Sequence, residues 1–181
     1  MEELSLHILD IAKNSVAAKA SVIKVLLEHS PDGLLKVKIT DNGCGMSGEF
    51  QKKVLSPFTT SRTTRKVGLG LPLYKMAAEQ TGGSFSLESE EGRGTKVTAV
   101  FDTKSIDCMP LGDIAFTVAT LINGSPETDF VFTERSSGRE YTLDTAEMRK
   151  LLGGVPLDSP DIFVWITEFI NENHSDLMKK Y

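Results

Sequence analysis

Residues 34–40, LLKVKIT, alternate without a break: Leu35, Val37 and Ile39 fall on one side, Lys36, Lys38 and Thr40 on the other. A period of two with apolar residues on one side only predicts a strand of a sheet that buries a single face. The run VIKVLLE (22–28) precedes it across SPDG, whose proline, aspartate and glycine stand in the order a tight turn uses. The two runs are therefore expected as an antiparallel pair. One bare apolar face has to be covered, which points to helices on that side.

The expected helices follow from period 3.6. Over 4–19, Leu4, Ile8 and Ile11 fall at i, i+4 and i+7, and Leu9, Ala12 and Val16 widen the stripe. A short helix is expected at 49–55 and another at about 69–80, with Pro72 tolerable in its first turn and Gly82 and Gly83 ending it. Between them, 59–66 is polar and basic without periodicity and reads as a mobile loop. SFSLESEEGRGTKVTAVF (84–101) reads as a hairpin in which Val97, Ala99 and Phe101 share a face. The pattern breaks at 102–113. Beyond it the sequence predicts helices at 111–122 and 145–152, short strands around 129–133 and 139–143, and an amphipathic helix at about 160–172. This divides the chain into a domain at 1–104 and a small α/β appendage at 105–181, with Trp165 and Phe169 expected in the appendage's core.

Bulk properties narrow the function classes. With 181 residues, 40% hydrophobic, a net charge of −5 and a pI near 5.3, the chain is an ordinary globular one without the basic balance of a nucleic-acid or anionic-membrane binder. Cys44 and Cys108 form no CxxC and no metal-ligand cluster, so reduced thiols are expected. Acidic residues near the start and the lack of a ~20-residue apolar run predict a cytoplasmic protein.

Four polar pieces remain unexplained by packing. Asp10 and Asn14, four apart, share one helical face. Asp41, Gly43 and Gly45 follow the alternating strand; Gly68 and Gly70 open a helix after the basic loop; Gly92, Gly94 and Thr95 sit in the hairpin. An aspartate at a strand end can accept from an exocyclic amine, while glycines beside it let a flat ring approach the backbone. Glycines opening a helix leave N–H groups for phosphate. An Asn carboxamide suits Mg²⁺, and a carboxylate one turn away can orient or deprotonate a water. Together they describe a site for a purine nucleotide with Mg²⁺. GLGLPL is not a dinucleotide fingerprint, because its sixth position is Leu73 and a polar loop precedes it. His7 reads as an ordinary helix histidine rather than a phosphoacceptor, and no partners are identified for His29 or His174.

In LDIAKNSVAA, DNGCGM, SPFTTS and VGLGL…TGGSFSLESEEGRGT, in that order over about 4–101, the sequence resembles the GHKL ATPase superfamily of gyrase, heat-shock chaperone, histidine kinase and mismatch-repair ATPase domains. The resemblance implies an α+β fold: a two-layer α/β sandwich of the Bergerat type, with a mixed, mainly antiparallel sheet and helices on one face. It implies that ATP and Mg²⁺ are the cofactors. Asn14 would hold Mg²⁺, Asp10 takes the place of the general base (usually Glu), Asp41 would bind adenine N6, and Thr95 would support that contact through water. Gly43, Gly45, Gly68 and Gly70 would shape the pocket and phosphate cradle, with Arg62, Arg65 and Lys66 as the lid's phosphate contacts. Met46, Phe58, Thr59, Thr60, Leu69 and Leu71 complete the implied nucleotide-binding set.

Two departures stand out: a short lid at about 56–67, with Lys66 where many related kinases have glycine, and Asp10, one methylene shorter than Glu. No histidine-bearing dimerisation domain is seen, so the chain is most similar to stand-alone members such as anti-sigma-factor serine kinases. More loosely, through LHILDIAKNS, TTSRTTRKVGLGLPL and PLGD, it resembles small ATP-binding proteins encoded beside iron-only hydrogenase subunits. The implied function is Mg-dependent ATP binding with hydrolysis, or phosphate transfer to a partner protein. The alternative is a non-catalytic ATP-dependent switch on a protein partner. A homodimer is left open, and neither nucleic acid nor membrane is expected as a partner.

Overall fold

The computed structural model describes residues 3–56 and 69–179. In chain order its elements are α1 (Leu4–Ala17), β1 (Val22–His29), β2 (Leu34–Asp41), α2 (Gly48–Val54), α3 (Gly70–Gln80), β3 (Ser84–Glu90), β4 (Gly94–Asp102), α4 (Ile114–Gly124), β5 (Asp129–Ser136), β6 (Arg139–Asp144), α5 (Thr145–Leu152) and α6 (Pro160–Met178). The strands form one sheet in the order β3-β4-β2-β1-β5-β6, antiparallel throughout except for the parallel pair β1–β5. This is the expected α+β sandwich with a mixed, mainly antiparallel sheet.

The alternation in the sequence becomes the two faces of that sheet. Ile23, Val25 and Leu27 of β1, Leu35, Val37 and Ile39 of β2, Val97, Ala99 and Phe101 of β4, and Phe130 and Phe132 of β5 are all buried under the helices. Lys24, Lys36 and Lys38 lie on the opposite, solvent-facing side. At SPDG the chain reverses as Gly33 N–H donates to the Ser30 carbonyl, with Gly33 at φ +87°. Helix α1 lays Leu4, Ile8, Ile11 and Ala12 on the sheet. Burial of each large side chain among these contributes about 1.5–3 kcal/mol. Its first turn has no side-chain cap; the Leu4 and Ser5 N–H groups donate instead to the Pro110 and Leu111 carbonyls.

Residues 105–181 supply β5, β6 and α4–α6 to this same sheet and helical layer, and the expected division at 104/105 falls between β4 and α4. Helix α4, capped by Asp113, is apolar on nearly every side and packs between α1 and α6. Two expectations are corrected. Trp165 is not core: it is 47% exposed and stacks on Phe169, centroids 5.1 Å apart, on the outer surface of α6. His29 and His174 do have a partner, since His29 Nε2 and His174 Nδ1 meet the buried Glu134 carboxylate, at 2.7 and 2.9 Å. No described helix is long and apolar enough to cross a membrane.

Candidate nucleotide site

Asp41 is the last residue of β2 and is buried, yet among the described residues its carboxylate is paired with no cation. Ser15 Oγ of α1 donates to Oδ2 at 2.6 Å and Gly43 N–H donates to Oδ1 at 2.8 Å. The first bond ties the sheet to α1; the second turns the chain sharply at the strand end. Two donors aimed at one buried carboxylate fix its orientation.

The chain from Asn42 to Met46 is clamped on both sides. Asn42 Oδ1 accepts from Ser21 and Val22 N–H, and Cys44 N–H donates to the Ala18 carbonyl. On the other side Gly92 N–H donates to the Cys44 carbonyl, and Met46 N–H donates to Ser89 Oγ. Gln51 of α2 donates to the carbonyls of both Met46 and Ser89. Glycine is required at 45, where φ is +65° and a Cβ would lie 1.9 Å from the Glu90 carbonyl oxygen. It is equally required at 94, where φ is +110° and a Cβ would lie 2.0 Å from the Asp41 carbonyl oxygen.

Between α1, this loop and the β2–β4 face lies a cavity of about 300 Å³, at the lower end of the range for ligand pockets. Its walls are apolar, from Ile11, Ile39, Leu71 and Val97; its polar groups are Asn14, Ser15, Asp41 and Thr95. Asp41 and Thr95 are direct cross-strand partners, and Thr95 Oγ1 shares a 2.8 Å hydrogen bond with Ser89 Oγ. The Asn14 side chain lines the cavity and bonds to no other described residue.

Of the residues singled out from sequence, Asn14, Asp41, Gly45, Met46, Leu71 and Thr95 meet around this one cavity. Gly43 stands just behind it, where a Cβ would press on Ala18 at 2.8–2.9 Å. Asp10 does not line the cavity. It lies one turn from Asn14 on α1, exposed, with Oδ2 only 2.8 Å from where a Cβ on Gly70 would be. The carboxylate therefore sits against the N-terminus of α3, whose dipole favours negative charge. Leu69 and Gly70 flank that helix start outside the cavity lining. Phe58, Thr59, Thr60, Arg62, Arg65, Lys66 and Gly68 lie outside the described residues. His7 is buried against Tyr74, centroids 5.5 Å apart, which fits the ordinary helix reading.

Sequence reasoning missed Ser15, Ser89 and Gln51. Ser15 had one visible signal: it falls i+4 from Ile11 on the apolar stripe, where a hydroxyl needs a partner. The two hairpin clamps had none, because their partners are backbone groups about 40 residues away in the chain.

The donor set fits Mg²⁺ with a nucleotide. A carboxylate acceptor lines a mainly apolar cavity together with a carboxamide that bonds to no other described residue. An Asn carboxamide oxygen is a hard ligand of the kind Mg²⁺ takes, and Mg²⁺ commonly uses few protein ligands and keeps several waters.

Known proteins are similar to this chain. The family described as "Histidine kinase-, DNA gyrase B-, and HSP90-like ATPase" matches residues 2–105. Sporulation kinase D of Bacillus subtilis is 37% identical over 92 residues, 50% of this chain and 18% of that protein. Sensor histidine kinase ZraS of Klebsiella oxytoca is 31% identical over 99 residues, 54% and 21% respectively. The chain thus spans about a fifth of the length of these relatives. Among solved structures, the Aquifex aeolicus MutL ATPase domain complexed with ADP superposes with a TM-score of 0.51 at 16% identity, covering 84% of this chain and 70% of that one. The N-terminal domain of a DNA repair protein gives 0.56 at 11% identity, covering 80% and 53%. A clamped aspartate at the strand end, an asparagine opposite it on α1 and a family match over more than half of the residues together place this chain in the histidine kinase-, DNA gyrase B- and HSP90-like ATPase family.

Proposed function

We propose that the chain binds ATP with Mg²⁺ in the cavity between α1 and the β2–β4 face and spends it on hydrolysis or on phosphate transfer to a partner protein. The observation that carries this reading is the Asp41 carboxylate, buried, clamped by Ser15 and Gly43, and facing a cavity that also exposes Asn14. Asp41 accepts a hydrogen bond from the adenine amine, Thr95 supports that contact, and Met46 and Leu71 bound the ring. Asn14 would hold Mg²⁺, which supplies charge neutralisation for the phosphates. Asp10 of α1, which lies against the start of α3, orients the attacking water or acceptor hydroxyl. The kinases among the relatives and the ADP complex of the MutL domain support nucleotide use of this kind. A protein partner or phosphoacceptor, a homodimer and a cytoplasmic location belong to the same proposal.

A second reading is a non-catalytic ATP-dependent switch on a protein partner. It is favoured by Asp10, a short carboxylate placed outside the cavity lining. Asp10→Asn separates the two. The catalytic reading expects nucleotide affinity to stay within about threefold of the original while turnover falls by about 10²-fold or more. If the unmodified protein shows no turnover, alone or with candidate partners, the switch reading replaces it.

A further inference from the structure

Glu134 is the most deeply buried acidic side chain among the described residues, fully enclosed on the helix-covered face of β5 beside Phe130 and Phe132. Three elements converge on it. His29 of β1 donates from Nε2 at 2.7 Å, Tyr141 of β6 donates its hydroxyl at 2.6 Å, and His174 of α6 donates from Nδ1 at 2.9 and 3.0 Å. The cluster lies at the end of the sheet remote from the nucleotide cavity: Asp41 pairs with Ile23, whereas His29, six residues further along β1, pairs with Leu35.

The other charged groups nearby are engaged elsewhere. Arg135 lies on the opposite face of β5 and pairs with Glu140. Arg139 of β6 donates to the carbonyls of Asp176, Leu177 and Lys179 at the end of α6, and Asp176 pairs with Lys179. Among the described residues, the imidazoles of His29 and His174 are the groups that meet the Glu134 carboxylate as potential cations.

Helix α6 is held unevenly. Its first half inserts Ile162, Ile166 and Ile170 into the core, while among the described residues from 171 onward Leu177 is the one buried side chain. His174, with the Arg139 contacts to the last carbonyls, is the polar tie that keeps this second half on the sheet. We propose that Glu134, His29, His174 and Tyr141 form a proton-controlled latch that fastens residues 171–178 of α6 to the sheet and loosens as pH rises.

The direction follows from the charges. The hydrogen bond to Glu134 raises the His174 pKa above its ordinary 6.5, against the opposing effect of burial. A folded-state value above the unfolded one gives stability that is complete below pH 6.5 and is lost as pH rises through the raised value. Burial alone would push Glu134 up, but the hydrogen bonds from His174, His29 and Tyr141 outweigh it and hold the carboxyl down to about 2. Its contribution is therefore complete above 4.5 and fades as pH falls toward about 2. The latch is tightest between these limits and opens on the alkaline side.

The test uses the full chain: the NMR titration of the histidine ring signals from pH 5 to 9, together with hydrogen exchange of residues 171–178 normalised to intrinsic rates. The latch predicts a His174 midpoint above 6.5. Protection of 171–178 should fall across that midpoint, about tenfold for each unit by which the midpoint is raised. In Glu134→Gln the midpoint should move back toward 6.5, and in His174→Gln the pH-dependent fall in protection should vanish. A midpoint at or below 6.5, flat protection from pH 6 to 9, or the same fall persisting in His174→Gln overturns the proposal. Should Glu134→Gln fail to fold, the titration of the unmodified chain and of His174→Gln still decides.

Discussion

Replacing Asp41 by Asn changes one atom and separates binding from folding. In the folded protein Oδ1 accepts from Gly43 N–H and Oδ2 accepts from Ser15 Oγ. The amide can keep its oxygen on Gly43 and turn its NH₂ toward Ser15, whose hydroxyl then accepts instead of donating. The fold therefore loses charge assistance in two bonds rather than the bonds themselves, a cost of about 1–2 kcal/mol. At about 2–4 °C per kcal/mol for a chain of this size, the melting temperature should fall by roughly 2–8 °C. The nucleotide loses more, because the adenine amine would face a neutral amide in place of an oriented anion. A hydrogen bond to a charged acceptor is worth about 1.5–3 kcal/mol, so the dissociation constant should rise about 10- to 150-fold. Calorimetric titration with a non-hydrolysable ATP analogue in Mg²⁺ buffer, beside thermal unfolding by circular dichroism, reads both quantities. An Asp41→Asn protein that melts within this window and still binds within about twofold of the original would refute the adenine role of Asp41.

Other outcomes follow from the same structure. Ser15→Ala leaves a buried carboxylate oxygen without its donor and should destabilise by about 1–3 kcal/mol in urea unfolding; an unchanged midpoint would show that water replaces the hydroxyl. Gly94→Ala places a Cβ 2.0 Å from the Asp41 carbonyl oxygen, whereas Gly92→Ala, also at positive φ, meets nothing within 4 Å. The second should cost about 1–2 kcal/mol and the first distinctly more, with weakened nucleotide binding; equal costs would mean that backbone strain alone matters there. On the acid side, the Glu134 contribution present above pH 4.5 should disappear as pH falls toward about 2. Glu134→Gln should therefore flatten the stability profile in that range, as measured by denaturant unfolding at a series of pH values.

Period-two patterns in residues 34–40 and 95–101 were enough to assign both faces of β2 and β4, because each buried side chain there is apolar. Helix α5 was also readable at both ends: Asp144 accepts from the first N–H groups, and Gly153 ends it in the left-handed conformation. The same reasoning failed at Glu134. Alternation places it with Phe130 and Phe132, but a carboxylate reads as outward-facing until the histidines that neutralise it are known, and those lie on β1 and α6. For the same reason α6 continues to Met178 instead of fading near residue 172: its last turns are polar and are held by His174 and Arg139. The parallel pairing of β5 with β1 joins segments about 100 residues apart and has no local signature. In the site, Asp41, Asn14 and the glycines stood out because glycines beside an acidic strand end have few packing explanations. The clamps at Ser89 and Gln51 act on backbone groups and leave no pattern.

The most direct measurement is a crystal structure of the chain grown with a non-hydrolysable ATP analogue and Mg²⁺. Hydrogen-bond distance between the adenine amine and the Asp41 carboxylate, with Mg²⁺ on the Asn14 carboxamide oxygen and the phosphates directed toward Asp10 and the start of α3, is the predicted result. An analogue bound elsewhere, or seated in the cavity with its base away from Asp41 and no metal on Asn14, would contradict the account.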